Sequence, residues 1–133
     1  MHLTKKSSYG LIAILELAGT SDDAPIPASA IAERFTLSAS FVEKILHELR
    51  QAGLVTSRQG RSGGYSLARD PAEISLRQVL EALGESLDLV GCLHPGAHCD
   101  LTVICPTKGA WRKLDTQFKG MLESMSLADL LGK

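Results

Sequence analysis

Three cysteines fall within fourteen residues, Cys92, Cys99 and Cys105 in the run GCLHPGAHCDLTVIC, and the chain has no others. Thiolates are soft, polarizable ligands that suit iron–sulfur clusters or zinc. The spacing C-x6-C-x5-C contains no C-x2-C pair, which disfavours zinc ribbons and fingers. The start MHLTKKSSYG is basic, but Glu16 interrupts the apolar stretch behind it and no cleavage pattern follows, so it reads as a helix rather than a signal peptide. A reducing, cytoplasmic setting is therefore expected, where clustered thiols bind metal more often than they form disulfides. The bland alternative is three unligated thiols that act as a redox switch or are merely buried. His98 beside Cys99 could be a nucleophile–base pair. Sequence neighbours rarely face each other, however, and no orienting third group is evident, so an enzyme is not expected. An electron carrier would use four cysteines.

Three thiolates leave a fourth ligand position open. His98, His94 and Asp100 lie in the same segment, while Glu33, His2 and Ser8 could reach it from elsewhere, including from a second copy of the chain. Neutral imidazole ligates iron in Rieske-type centres, which makes the histidines chemically apt.

The rest of the 133 residues must position this cluster of donors. Leu11, Ile14, Leu15 and Ala18 recur at helical spacing, so residues 4–17 read as an amphipathic helix. Gly19 to Pro25 is a loop by composition, and Pro27 suits the first turn of a second helix with Ala28, Ile31, Ala32 and Phe35 inward. A third helix buries Val42, Ile45, Leu46 and Leu49. Ser40 with Glu43 forms a capping-box pattern, with Ser38 as rival cap. Its other face carries Ser40, Glu43, Lys44 and His47. Segments 54–57 and 65–68 read as strands around the Gly-rich tip Gly60-Arg61-Ser62-Gly63-Gly64, a hairpin with a basic tip. Ser75 caps a fourth helix through Leu76, Val79, Leu80 and Leu83. After Pro106 a long helix carries Trp111, Leu114, Phe118, Met121 and Met125 at 3-4-3-4 spacing, a seam that predicts a dimer contact. Ser126 opens a last short helical turn.

Two helices joined by a short turn, followed by a hairpin, are the parts of a winged helix-turn-helix. Net charge is only −1, but residues 34–69 hold six Lys/Arg against two acids, a local +4, whereas residues 71–133 are −2. That basic patch is an electrostatic footprint for double-stranded DNA. The expected contacts are Ser38, Ser40, Glu43, Lys44 and His47 on the reading helix, Arg58, Gln59 and Arg61 on the wing, and Lys5 and Lys6 against phosphate. No run of about 18 apolar residues exists, so no membrane partner is expected.

The segments MHLTKKSSYGL, LSASFVEKILHELRQAGLV, GRSGGYSLARDP and SLRQVLEALGE, then the cysteine triplet and Trp111-Arg112-Lys113-Leu114, together resemble the IscR/NsrR-type family of winged-helix regulators. The resemblance runs from residue 1 to about 131. It implies a homodimeric transcription regulator, usually a repressor. In its cluster-binding members three cysteines hold an iron–sulfur cluster, and loss or modification of that cluster by nitric oxide, iron shortage or oxidants changes operator binding. Three positions depart from the pattern. Lys108 stands where several members place a histidine three residues after the third cysteine, and Ser8 stands where others have an acidic residue. Gln59 replaces the arginine that commonly precedes the first wing glycine.

The resulting expectation is a mainly α chain with a small β-hairpin wing. Residues 1–83 form a winged helix-turn-helix domain, 84–108 a cysteine-rich cluster-binding loop, and 109–133 a dimerisation helix and tail. A 2Fe-2S or 4Fe-4S cluster is expected on Cys92, Cys99 and Cys105, and a near-palindromic operator follows from two-fold symmetry. The alternative keeps the fold and the DNA but senses through thiol oxidation or a protein partner.

Overall fold

The computed structural model describes residues 3–20, 24–90, 93, 96 and 105–132. Helices α1 (Lys5–Ala18), α2 (Ala28–Phe35) and α3 (Ala39–Gln51) are followed by a hairpin of β1 (Val55–Arg58) and β2 (Gly64–Leu67). A 3-10 turn (Pro71–Glu73), α4 (Leu76–Ala82), the long α5 (Lys108–Ser124) and the short α6 (Leu127–Leu130) complete the described elements. This is the mainly helical, winged arrangement the sequence predicts, with strand bounds displaced by one residue.

One apolar cluster holds the head together. Ile14 and Leu17 of α1, Ile31 of α2, Val42, Ile45, Leu46 and Leu49 of α3, and Val79 of α4 with Leu83 just past its end are all buried in it. All but Leu17 lie on the stripes that period 3.6 predicts. On α1 the inner face is turned to Ser7, Gly10, Ala13, Ile14, Leu17 and Ala18, and the expected Leu11 and Leu15 are only half-buried. Gly10 lets α1 approach its neighbours: an added Cβ would fall 2.4 Å from Leu83 Cδ1 and 3.4 Å from Ile45 Cγ2. Tyr9 of α1 meets Phe41 of α3 edge-on at 5.9 Å, which fixes the start of the reading helix.

The helix ends correct two sequence expectations. Ser38, not Ser40, caps α3: its hydroxyl accepts from Phe41 N at 3.3 Å, and Ser40 lies inside the helix. Pro27 occupies the N-cap position of α2, one residue before the first turn. In the connecting turn Thr36 adopts a left-handed conformation (φ 54°), which lets Leu37 N return to Ala32 O at 2.8 Å. Ser75 caps α4 through a reciprocal box with Gln78, as its position predicts.

The hairpin pairs Val55 with Leu67 through to Arg58 with Gly64. Residue 26, just before α2, bonds to the same strand: Ile26 N reaches Tyr65 O at 2.9 Å and Tyr65 N reaches Ile26 O at 2.8 Å. A side chain at Gly64 would sit 2.5 Å from the Ile26 carbonyl carbon, which explains the glycine before Tyr65.

The C-terminal elements divide unexpectedly. The last turn, α6, returns to the head: Leu127 is fully buried in the main cluster, Leu127 N donates to Ile74 O and Leu76 N to Met125 O. It is therefore packed into the head's core and is not a free tail. By contrast α5 rests on a small second cluster of Leu80, Leu87 and Leu122, with Leu76 and Phe118 against it.

Candidate DNA-reading surface and thiol segment

The reading surface is built by α3 and the wing. Ser38, Ser40, Glu43, Lys44 and His47 are all exposed along α3, and Arg58, Gln59 and Arg61 are exposed at the wing. Between them runs an open groove of about 400 Å³, lined by Pro27, Ser29, Glu43, Arg50, Arg58, Gln59 and Tyr65 among others. Of the residues predicted from sequence, Glu43 of α3 and Arg58 and Gln59 of the wing line this groove, whereas Ser38, Ser40, Lys44, His47 and Arg61 are exposed outside its lining. Ser40 Oγ lies 2.9 Å from the capping Ser38 Oγ, so the two serines act as a linked pair.

Two side-chain partnerships alter the predicted contacts. Lys6 does not project freely from α1: its ammonium lies 2.9 and 2.7 Å from the two carboxylate oxygens of Glu48 on α3. It therefore braces α1 against the reading helix, and Lys5, which is exposed, is the α1 cation left facing solvent. Glu43 is not a capping residue, because Tyr65 Oη of the wing donates to its Oε2 at 2.7 Å. Burial, then the hydrogen bond and the negative charge of Glu43, push the Tyr65 phenol above its ordinary range, so it remains a donor. Tyr65 and Arg50 were absent from the sequence-derived contact set. The glycine pair before Tyr65 marked a close backbone approach, but nothing local links residues 43 and 65.

Only part of the thiol segment lies in the described structure. Cys92, Cys99, His94, His98, Asp100 and His2 fall outside the described residues. Cys105 is half-buried just ahead of α5, with Sγ 3.3 Å from Thr107 Oγ1. Hydrogen bonding to the Thr107 hydroxyl, then to backbone N–H groups at the helix start, holds its thiol below the usual value and outweighs desolvation. A sulfur at a helix N-terminus with a lowered pKa favours thiolate, the form that ligates metal. Glu33 is exposed on α2 and Ser8 exposed on α1, both within the head, while Lys108 opens the first turn of α5. Among the described residues no group of three metal-ligating side chains converges.

Two polar clasps fix the flanks of the segment. Glu85, just after α4, accepts at one oxygen from Ser7 Oγ (2.7 Å), Thr4 Oγ1 (2.6 Å) and Thr4 N (3.3 Å). These donors, the Thr4 and Ser7 hydroxyls first, hold its carboxyl below the ordinary 4.5. Thr4 is also the N-cap of α1, so the clasp joins the segment's beginning to the head. The second clasp joins it to α5: Lys119 Nζ lies 2.6 Å from Asp88 and 2.9 Å from Asp115, and Asp115 accepts from Leu89 N at 3.0 Å. Asp115 is buried, and bonds to Asp88 and then Asp115 raise the Lys119 ammonium above 10.5.

On α5, Trp111, Leu114 and Met121 are 39, 49 and 56% exposed, a row of large apolar groups in solvent. Phe118 departs from this row, because it packs on the chain's own second cluster. Met125 lies just past the helix end as its C-cap, although it too is exposed. No described helix is long and apolar enough to cross a membrane.

Comparison with known proteins identifies the architecture. The family model for Rrf2, an iron-dependent transcriptional regulator, matches residues 3–133. The chain is 38% identical to the HTH-type transcriptional regulator IscR of Photobacterium profundum, over 98% of this chain and 76% of that protein. Identity to the Escherichia coli O1:K1 IscR is 36%, over 98% and 80%. Among solved structures, T. potens IscR superposes with a TM-score of 0.74 at 32% identity, covering 99% of this chain and 87% of the other. CymR, the global cysteine regulator of B. subtilis, gives 0.77 at 28% identity, covering 98% and 95%. These relatives are regulators rather than enzymes. With its reading helix, wing and match along nearly the whole chain, this protein belongs to the Rrf2 family of winged-helix, DNA-binding transcriptional regulators.

Proposed function

We propose that the chain is a homodimeric regulator, acting as a repressor, whose operator binding is set by an iron–sulfur cluster on Cys92, Cys99 and Cys105. The observation that carries this reading is the placement of a thiolate-favouring Cys105 at the start of α5, closing a three-thiol segment whose other end is clasped to both head and helix. Three soft donors fit a 2Fe-2S or 4Fe-4S cluster, with the fourth position open to His98, His94, Asp100 or Glu33. A bound cluster supplies an oxidant- and nitric-oxide-sensitive tie among the thiolates. The remaining work falls to this chain's residues: Glu85 holds the segment to α1, and Asp115 and Lys119 hold it to α5. A change in the order of the segment can then be transmitted to the angle between the two DNA-reading heads.

The exposed Trp111, Leu114 and Met121 support α5 as the contact between copies, since a solvent-facing apolar row of this size is costly in a monomer. Two heads related by a two-fold axis read half-sites one turn of DNA apart, so the operator is a near-palindrome. Ser40, Glu43, Lys44 and His47 face the major groove, Arg58, Gln59 and Arg61 follow the wing contact, and Lys5 meets phosphate.

A second reading rests on the likeness to CymR, for which an oxidised form of the Staphylococcus aureus protein is among the solved structures (TM-score 0.70, 29% identity). Here the same fold senses through thiol oxidation without a cluster. Anaerobic purification of wild type and the triple Cys→Ala variant separates the two. Visible absorption with iron and sulfide in the wild type alone supports the cluster. A colourless, iron-free protein that fails reconstitution supports the thiol switch.

A further inference from the structure

The bond between Tyr65 and Glu43 has no local origin, and it crosses from the wing to the reading helix. Tyr65 is held on both sides of its backbone. Its N–H and C=O are both bonded to Ile26, and its strand neighbour Gly64 is pressed against the same peptide. Its hydroxyl therefore presents a donor from a fixed backbone. Glu43 has the opposite character: it is exposed, on a helix face, with a side chain of three rotatable bonds. Left alone, such a carboxylate would sample several rotamers and could swing away from any base edge that did not suit it. The 2.7 Å bond from Tyr65 occupies Oε2 and leaves Oε1 to accept from a further donor.

We infer that Tyr65 is a positioning residue for sequence recognition: by holding the Glu43 carboxylate in the groove between α3 and the wing, it makes that carboxylate select for a base that donates and against bases that only accept. The inference rests on the proposed major-groove role of Glu43 and deepens it. A carboxylate fixed in the groove gains a partner at cytosine N4 but is left desolvated and unpaired opposite an acceptor edge. A mobile carboxylate escapes that penalty by turning back to water. Tyr65 thus controls the cost of the wrong base more than the gain from the right one. Tyr65→Phe, which retains the ring and removes only the donor, is expected to narrow discrimination at the Glu43-facing position by about fivefold, mainly through tighter binding of disfavoured operators.

The test is a randomised-operator selection with full-length dimer, in one cluster state, for wild type, Tyr65→Phe, Glu43→Ala and the double variant. Affinities for the selected and the disfavoured operator follow, and melting temperatures verify the fold. The expected result is that both single variants relax the same operator position, and that Tyr65→Phe adds nothing once Glu43 is alanine. A wild-type motif from Tyr65→Phe, beside a relaxed one from Glu43→Ala, overturns the role of Tyr65 while leaving Glu43 as a reader. A wild-type motif from Glu43→Ala removes the reading beneath and the inference with it. Relaxation at different positions, or additive effects, also overturns the inference. A structure of the operator complex is an independent check: an intact Tyr65–Glu43 bond supports the assignment, and a broken one contradicts it.

Discussion

The head and the α5 region of this chain are held by different forces. In the head, α1, α3, α4 and α6 share one apolar cluster whose members Ile14, Leu46, Leu49, Val79 and Leu127 have no measurable exposure. At α5 the apolar cluster shrinks to Leu80, Leu87 and Leu122 with half-buried Leu76 and Phe118, and a charged clasp of Asp88, Asp115 and Lys119 does much of the joining. Apolar burial responds weakly to salt and pH, whereas ion pairs near a surface respond to both. The division therefore places fixed geometry where DNA is read and adjustable geometry beside the thiol segment. It also leaves α5 with an exposed apolar row, the surface on which the proposed dimer contact rests.

Truncation of the core gives the largest contrast. Leu46→Ala in the head should cost about 3–4 kcal/mol, while Leu122→Ala under α5 should cost about 2 kcal/mol or less and spare the head. Urea unfolding followed at separate probes in the two regions measures both, and equal costs would break the distinction. Next in size is self-association. A double Leu114→Glu, Met121→Glu variant should weaken the dimer at least about 100-fold, roughly 2.7 kcal/mol, by placing charge in an apolar contact. An unchanged sedimentation profile would remove α5 from the interface.

The clasp sharpens the comparison at smaller scale. Asp115→Ala strips the Leu89 N–H and Lys119 of a partner and should cost about 1–2 kcal/mol. Because the Lys119 pKa is raised on folding, its contribution is full below 10.5 and is lost as pH rises through the higher folded value. The alkaline loss of stability should shrink in Asp115→Asn, measured by thermal melts across pH 9–12 (about the lysine range). An unaltered alkaline limb would mean that Asp115 adds nothing to Lys119 beyond what Asp88 supplies. The smallest effect is at the other flank. Glu85 is depressed below 4.5, so its contribution is present above that value and lost as pH falls through the folded one. Thr4→Ala, which removes both an N-cap and a Glu85 donor, should cost about 1 kcal/mol and flatten this acid limb. A parallel acid limb in the variant would show that Glu85 draws nothing from Thr4.

The same contrast governs what could be read from sequence. Head elements were largely legible from apolar periodicity: the expected 4–17 helix is Lys5–Ala18, Val42, Ile45, Leu46 and Leu49 are buried on α3, and Ser75 caps α4, although α1 turns Ser7, Gly10, Ala13 and Leu17 inward in place of Leu11 and Leu15. On α5 the 3-4-3-4 row was visible, but spacing could not tell which members turn inward. Phe118 lies at the boundary of two faces and joins the inner cluster, while Leu122, one position from Met121, is the buried one. Asp115 is buried with no sign of it in the local sequence, because one of its partners, Leu89 N, comes from 26 positions away. Ser38 and Ser40 both suited a cap, and only the turn through Thr36 decides for Ser38. Lys6 with Glu48 and Tyr65 with Glu43 are tertiary pairs, for which local sequence holds no signal.

The most direct test of cluster-controlled DNA binding is operator affinity of the full chain, measured anaerobically at one salt concentration, before and after gentle removal of iron, with the triple Cys→Ala variant alongside. The account predicts an affinity for the operator that differs at least about tenfold between the two forms, roughly 1.4 kcal/mol, and a variant that is indifferent to the treatment. Equal operator affinities for iron-loaded and iron-free wild type would contradict it.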